Sequence, residues 1–150
     1  MKIAFDDAKI ELIKEHARLE REKDWPGALA TMSSEPVYEY FPYRLRVSGA
    51  EPIQVMWERT LVLPCLDYST GRRVLSLTRY ITEDSVADLV QNEFGGNEGA
   101  LVYSTFLCIF HFAGDKIAKE TIHLDYNMIP YMDDVLQDPS FLSLPGVERF

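Results

Sequence analysis

Residues 100–125 read ALVYSTFLCIFHFAGDKIAKETIHLD, the clearest strand pattern in the chain. Two runs rich in β-branched and aromatic residues, Ala100–Phe112 and Lys116–Asp125, flank Ala113-Gly114-Asp115. That is the composition of two antiparallel strands joined by a tight hairpin turn. Upstream the pattern repeats: Val74–Thr82 and Ser85–Phe94 are strand-like, separated by Glu83-Asp84 and followed by Gly95-Gly96-Asn97-Glu98-Gly99. Four strands with short breaks predict an antiparallel meander, and no alternating parallel strand–helix pattern occurs.

The N-terminal half has a different period. From Asp6 to Lys23, Leu12, His16 and Leu19 fall on one helical stripe, flanked by Ile10, Ile13 and Ala17, with Asp6 and Asp7 at the positive end of the helix. Asp24-Trp25-Pro26 ends this helix and begins a short second one to about Met32, because proline is tolerated in a first turn. Pro36 and Pro42 bracket one strand, Val37–Phe41, and Gly49 leads into a third helix with Ile53, Met56 and Trp57 on its apolar side. Tyr126–Leu136 follows the last strand as a helix, and residues 137–150, with Pro139 and Pro145, read as an extended tail whose Phe141, Leu142, Leu144 and Phe150 favour docking. Helices first and antiparallel strands afterwards predict one α+β domain over 1–150, its helices on one face of a curved sheet.

Composition narrows the partners. The 150 residues carry 24 Asp and Glu against 15 Lys and Arg, a formal charge of −9, with no run of uninterrupted basic residues. Such a surface does not suit a phosphate backbone, so no nucleic-acid partner is expected. A hydrophobic fraction of 47% supports an ordinary core without disulfide or metal staples. Cys65 and Cys108 lack the spacing of a zinc site and fit reduced core thiols. The first residues lack an apolar signal region, and no stretch approaches the roughly 18 apolar residues of a membrane span, so no membrane partner and a cytoplasmic location are expected.

Three stretches together resemble the nuclear transport factor 2-like superfamily, most closely its polyketide cyclase (SnoaL-like) branch. The first is Lys23-Asp24-Trp25 with Ala28, Leu29 and Met32, then Val37–Phe41 and Pro42. The second is Gly49-Ala50-Glu51-Pro52-Ile53 leading to Trp57. The third is Phe110-His111-Phe112-Ala113-Gly114-Asp115-Lys116-Ile117, then Glu120 and Asp125. The resemblance covers about 9–135. It implies a cone-shaped curved antiparallel sheet wrapped by three N-terminal helices, an α+β barrel with an apolar pocket at the wide end, and a homodimer through the sheet. Because the fold hosts isomerases, cyclases, dehydratases, epoxide hydrolases and binding modules, function has to come from the pocket.

Asp125 falls at the end of the last strand, where the resemblance implies a catalytic acid; preceding a helix, it also suits a cap. His123, two residues earlier, shares a strand face with Asp125 and suits a proton relay. A two-residue Gly114-Asp115 turn pairs His111 with Ala118 and turns it to the other face, unless a bulge intervenes. Tyr38 and Tyr40 lie on one side of the first strand, as packing or as donors to a developing oxyanion. Trp57 is expected as pocket wall, Glu93 as a second acid or a rim residue, and Arg79 either as a partner of Glu93 or Asp125 or as an outward-facing cation. His16 is expected in the core or the pocket wall.

The departures also carry information. Phe41 stands where ketosteroid isomerases of this fold carry an aspartate before the first-strand proline, and Arg79-Tyr80-Ile81 lacks the acid of the epoxide hydrolases' Arg-x-Asp. No metal-ligand spacing, phosphate loop or Gly-x-Ser-x-Gly elbow occurs. The reading is therefore an enzyme needing no cofactor and no metal, which moves a proton on an apolar small-molecule substrate: an aldol-type cyclase, isomerase or dehydratase. The alternative is a non-catalytic ligand-binding or dimerisation module.

Overall fold

The computed structural model of the protein describes residues 4–150, with side chains from Asp7 onward; the role expected of Asp6 at the helix start lies outside it. The expected meander is present as β3 (Arg73–Ile81), β4 (Ser85–Gly95), β5 (Leu101–Ala113) and β6 (Lys116–Leu124). It joins β1 (Met32–Phe41), β2 (Leu45–Ser48) and β7 (Val147–Arg149) in one curved, unclosed sheet of order β3-β4-β5-β6-β1-β2-β7. The β1–β6 pair is parallel and every other pair is antiparallel.

Two expectations about the strands need correction. β1 begins at Met32, upstream of Pro36, because its register against β6 slips between Met32 and Val37 and Pro36 falls inside the slip. A proline costs no ladder hydrogen bond there, and its carbonyl accepts from Gly49 N–H at 2.9 Å. Residues 137–150 are not uniformly extended. They form α5 (Pro139–Leu142), which buries Phe141, and β7, which pairs with β2 at the sheet edge.

The helices are α1 (Ala4–Arg21), α2 (Trp25–Ala30), α3 (Ala50–Thr60) and α4 (Ile129–Leu136), so α4 and α5 join the three N-terminal helices. Ile13, His16 and Leu19 are the buried stripe of α1, while Leu12 is half-buried. The Asp24 carboxylate caps α2 by accepting from Gly27 N–H at 3.0 Å. Gly49 starts α3 at φ 100, a conformation that L side chains rarely adopt, and Ile53, Met56 and Trp57 are buried beyond it. Among the described residues no helix is long and apolar enough to cross a membrane.

Strand parity sorts the side chains. Val86, Asp88, Val90, Asn92 and Phe94 of β4, and Tyr38 and Tyr40 of β1, are buried on the inner face. The register pairs Cys108 with Asp88 and Ile122, and Phe110 with Val86 and Glu120, so these also point inward. The outer face is partly bare: Leu75, Leu77 and Tyr80 of β3, Leu89 of β4 and Leu101 and Tyr103 of β5 are exposed.

Candidate active site

Between α1 and the inner face of the sheet lies a cavity of about 200 Å³. Ile13, Val90, Phe106, Phe110, Ile122 and Met132 give it apolar walls, and Trp57 from α3 adds an aromatic one. Trp25 stacks on Trp57 with ring centroids 5.9 Å apart, and Tyr38 meets Trp57 edge-on at 5.9 Å. Of the lining residues, Arg21, Lys23 and Val74 are exposed and mark the opening, whereas His16, Tyr38, Tyr40 and Glu120 are buried.

The buried polar groups form one connected centre. The Thr31 hydroxyl donates to the Ala28 carbonyl at 2.6 Å, so its oxygen accepts from His16 Nδ1–H, also at 2.6 Å. That fixes the His16 Nδ1 proton and turns Nε2 toward the Tyr38 hydroxyl at 3.0 Å, Glu20 Oε1 at 3.1 Å and Glu120 Oε2 at 3.7 Å. The single Tyr38 proton is donated to Glu20 Oε1 at 2.9 Å. Nε2 therefore faces oxygens that call for a proton on it. Burial alone lowers the His16 pKa, but the Glu20 carboxylate, its hydrogen bond and Glu120 together raise it above the ordinary value.

Glu120 is the other half of this centre. Its Oε1 accepts from the Cys108 thiol at 2.8 Å, while its buried Oε2 has no hydrogen-bond partner. Burial, and then the like charge of Glu20, push the Glu120 carboxyl up to about 7, against the opposing pull of His16, Cys108 and Tyr38. Burial also holds the Tyr40 phenol well above its ordinary range, and this hydroxyl makes no hydrogen bond among the described residues. It is a neutral donor free to meet a ligand, and the Trp57 Nε1 is likewise buried without a hydrogen-bond partner.

Of the residues expected at the site, Tyr38, Tyr40 and Trp57 line the cavity, as does His16, expected in the core or the pocket wall; the others do not. Asp125 accepts from Thr105 N–H at 2.7 Å, Asn127 N–H at 3.0 Å and Met128 N–H at 3.2 Å, so its carboxylate holds the turn into α4. His123 shares the face of Asp125, as parity requires, but that face is the outer one; its exposed ring stacks on Phe41 at 4.6 Å. The bulge that decides His111 is present: the ladder shifts between His111 and Phe112, and His111 pairs with Lys119 instead of Ala118. This puts His111 on the face of Asp125, again the outer one, where burial and then Lys119 lower its pKa. Glu93 is also outward, paired with Arg73 at 3.1 Å. Arg79 pairs with Asp88 at 3.0 Å, and not with Glu93 or Asp125, because Asp88 lies opposite it on β4.

His16 lies in the pocket wall as expected, but sequence reasoning assigns it no chemical role, and Glu20 and Glu120 are not among the residues expected at the site; the three come from distant elements. His16 and Glu20 are one helical turn apart on the stripe of Ile13 and Ala17, and Glu120 alternates with Ile122 and Leu124 on the inner face of β6. A titratable residue interrupting an apolar stripe is the signal that finds both. His16 Nε2 and one oxygen each of Glu20 and Glu120 also lie within 4.8 Å of one another, so these are the described residues able to offer a divalent cation three ligands.

No protein-family model matches the chain, and no curated protein matches it. Solved structures do. A SnoaL-like polyketide cyclase from Jannaschia covers 93% of this chain and 99% of its own, at 13% identity and a TM-score of 0.65. A protein with a ketosteroid isomerase-like fold from Catenulispora acidiphila, in complex with trimethylamine, covers 81% of this chain and 91% of its own, at 11% identity and a TM-score of 0.63. An epoxide hydrolase of the LEH-like kind from M. tuberculosis covers 88% of this chain and 97% of its own, at 13% identity and a TM-score of 0.61. The sheet order, the helices packed on its inner face and these likenesses agree that the chain has the nuclear transport factor 2-like fold.

Proposed function

We propose that the chain is an enzyme needing no cofactor, which moves a proton on a small apolar substrate with Glu120 as general acid/base. The observation that carries this reading is Glu120 Oε2, a buried carboxyl oxygen without a hydrogen-bond partner in the wall of an apolar cavity. A carboxyl pushed up to about 7 by burial and by Glu20 is populated in both forms near neutrality, which is what a reversible proton carrier needs. In its ionised form Glu120 takes a proton from a carbon acid. The His16 imidazolium steadies the carboxylates, and Tyr40 O–H and Trp57 Nε1–H are the donors for the substrate oxygen that gains charge. Isomerisation, aldol-type cyclisation and dehydration share this step.

A non-catalytic binding module has its polar groups spent on structural hydrogen bonds. Asp125 fits that description, but Glu120 Oε2 and the Tyr40 hydroxyl do not. The test is base-catalysed ring opening of nitrobenzisoxazole, a general carbon-acid probe, followed across pH. The wild-type rate rises with pH through about 7, as Glu120 ionises. Glu120→Gln loses about 10²–10⁴-fold, the contribution of a positioned base, while Asp125→Ala keeps the rate. Loss in Asp125→Ala with normal turnover in Glu120→Gln would contradict the assignment.

A further inference from the structure

We propose that the cavity carries an anion subsite at Arg72, so that its substrate is an apolar molecule bearing a carboxylate. This deepens the acid–base reading above and rests on it for the word substrate.

Arg72 lines the same cavity as Glu120 and is half-buried. Its Nε donates to Asn92 Oδ1 at 2.7 Å and its Nη1 to the Leu66 carbonyl at 3.3 Å. Asn92 is itself fixed, fully buried, by donating to the Cys65 carbonyl at 2.9 Å. The guanidinium is thus held in place by two neutral groups, with Nη2 left over. Among the described residues it forms no ion pair with any carboxylate. Charges taken out of water are normally paired, and Glu20, the cavity-lining acid that attracts the guanidinium, does so without forming an ion pair, so this positioned cation remains to be completed by an anion from outside.

The surroundings reinforce this. Two guanidinium groups pack on the Tyr68 ring, Arg21 at 4.3 Å and Arg72 at 4.6 Å from its centroid. Arg21 lines the opening of the cavity, and it too has no ion pair among the described residues. The Arg21 charge raises the cost of the Arg72 charge, and an anion within reach of both relieves that repulsion. Phe106, on the cavity wall with Phe110 and Trp57, lies 6.0 Å from the Arg72 guanidinium, so an apolar body attached to the anion has an aromatic surface beside it. A planar carboxylate matches the free edge of a guanidinium, and a single charge answers the half-buried cation.

The test compares binding of hydrocinnamate with that of its neutral amide, which has the same apolar body, by quenching of tryptophan fluorescence and by calorimetry. Wild type binds hydrocinnamate at least about tenfold more tightly. Arg72→Met removes that preference while the amide still binds, and Arg72→Lys keeps part of it; circular dichroism confirms that both variants fold. Equal binding of the pair by wild type, a preference that survives in Arg72→Met, or no binding of either probe at millimolar concentration overturns the subsite. The acid–base reading fails by a separate route: Glu120→Gln leaves the carboxylate preference in place whether or not Glu120 is the base.

Discussion

On the inner face of the β5–β6 hairpin, Cys108, Phe110, Glu120 and Ile122 meet α1 across the cavity; on its outer face, His111, Lys119, His123 and Asp125 do not. Both faces carry acids, and the acids differ in how they are partnered. Asp125 is satisfied by three backbone N–H groups, whereas Glu120 accepts from one thiol on one oxygen and has on the other no hydrogen bond, only the His16 ring nitrogen 3.7 Å away. A satisfied carboxylate at a strand end holds a turn. A half-satisfied one beside a second carboxylate keeps a proton available, so partnering, more than position at the sheet's end, separates scaffold from chemistry.

The two acids differ most in what their protons do to stability, and the effect is largest at Glu120. An unfolded glutamate loses its proton near 4.5 and the folded Glu120 near 7, so between these values the folded chain holds a proton that the unfolded chain has released. Stability therefore falls as pH rises through this window, and above it the whole difference is lost. His16 acts in the same direction, because its raised pKa contributes stability that is lost as pH rises through its folded value. Glu120→Gln removes the buried charge, so at about pH 8 it is more stable than wild type by on the order of 1–3 kcal/mol, read from denaturant unfolding. Loss of activity with gain of stability is the signature expected of the inner acid alone.

Thr31→Val comes next. It deletes the acceptor of His16 Nδ1–H and the donor to the Ala28 carbonyl, leaving a buried N–H unpaired at a cost of about 1–3 kcal/mol. The imidazolium loses one of its supports, so the His16 titration seen by nitrogen NMR moves to lower pH. Asp125→Ala removes the outer acid and costs about 0.5–2 kcal/mol in thermal or denaturant unfolding, as the loss of a helix-entry cap does. His123→Ala is smallest: an exposed ring stacked on Phe41 is worth no more than about 0.5 kcal/mol by the same measurement. A large rate loss in His123→Ala would return the chemistry to the outer face.

The contrast also explains what was legible in the sequence. Alternation and turn composition located β3 to β6 within a residue or two, because each strand is bounded by glycine or acid-rich turns. β2 and β7 were not legible. Each is short and takes its stability from a neighbour, the first from β1 and the second from β2. Parity correctly grouped His123 with Asp125, but parity within one strand does not say which face is inner; the packing of α1 and α3 decides that. The one-residue bulge after His111 reversed its face and is invisible in composition. The His16–Glu20–Glu120 centre joins a local pair on α1 to a residue of β6 distant in the chain, so only the polar interruptions of apolar stripes hinted at it.

The most direct test of the central claim is the protonation state of Glu120, followed by carboxyl carbon NMR with labelled glutamate in wild type and Glu120→Gln. With Glu120 as the proton carrier, one carboxyl titrates near 7 and disappears in the variant. If every glutamate of the folded chain has titrated by about pH 5, as ordinary carboxyls do, Glu120 is not the proton carrier and the inner face is scaffold like the outer one.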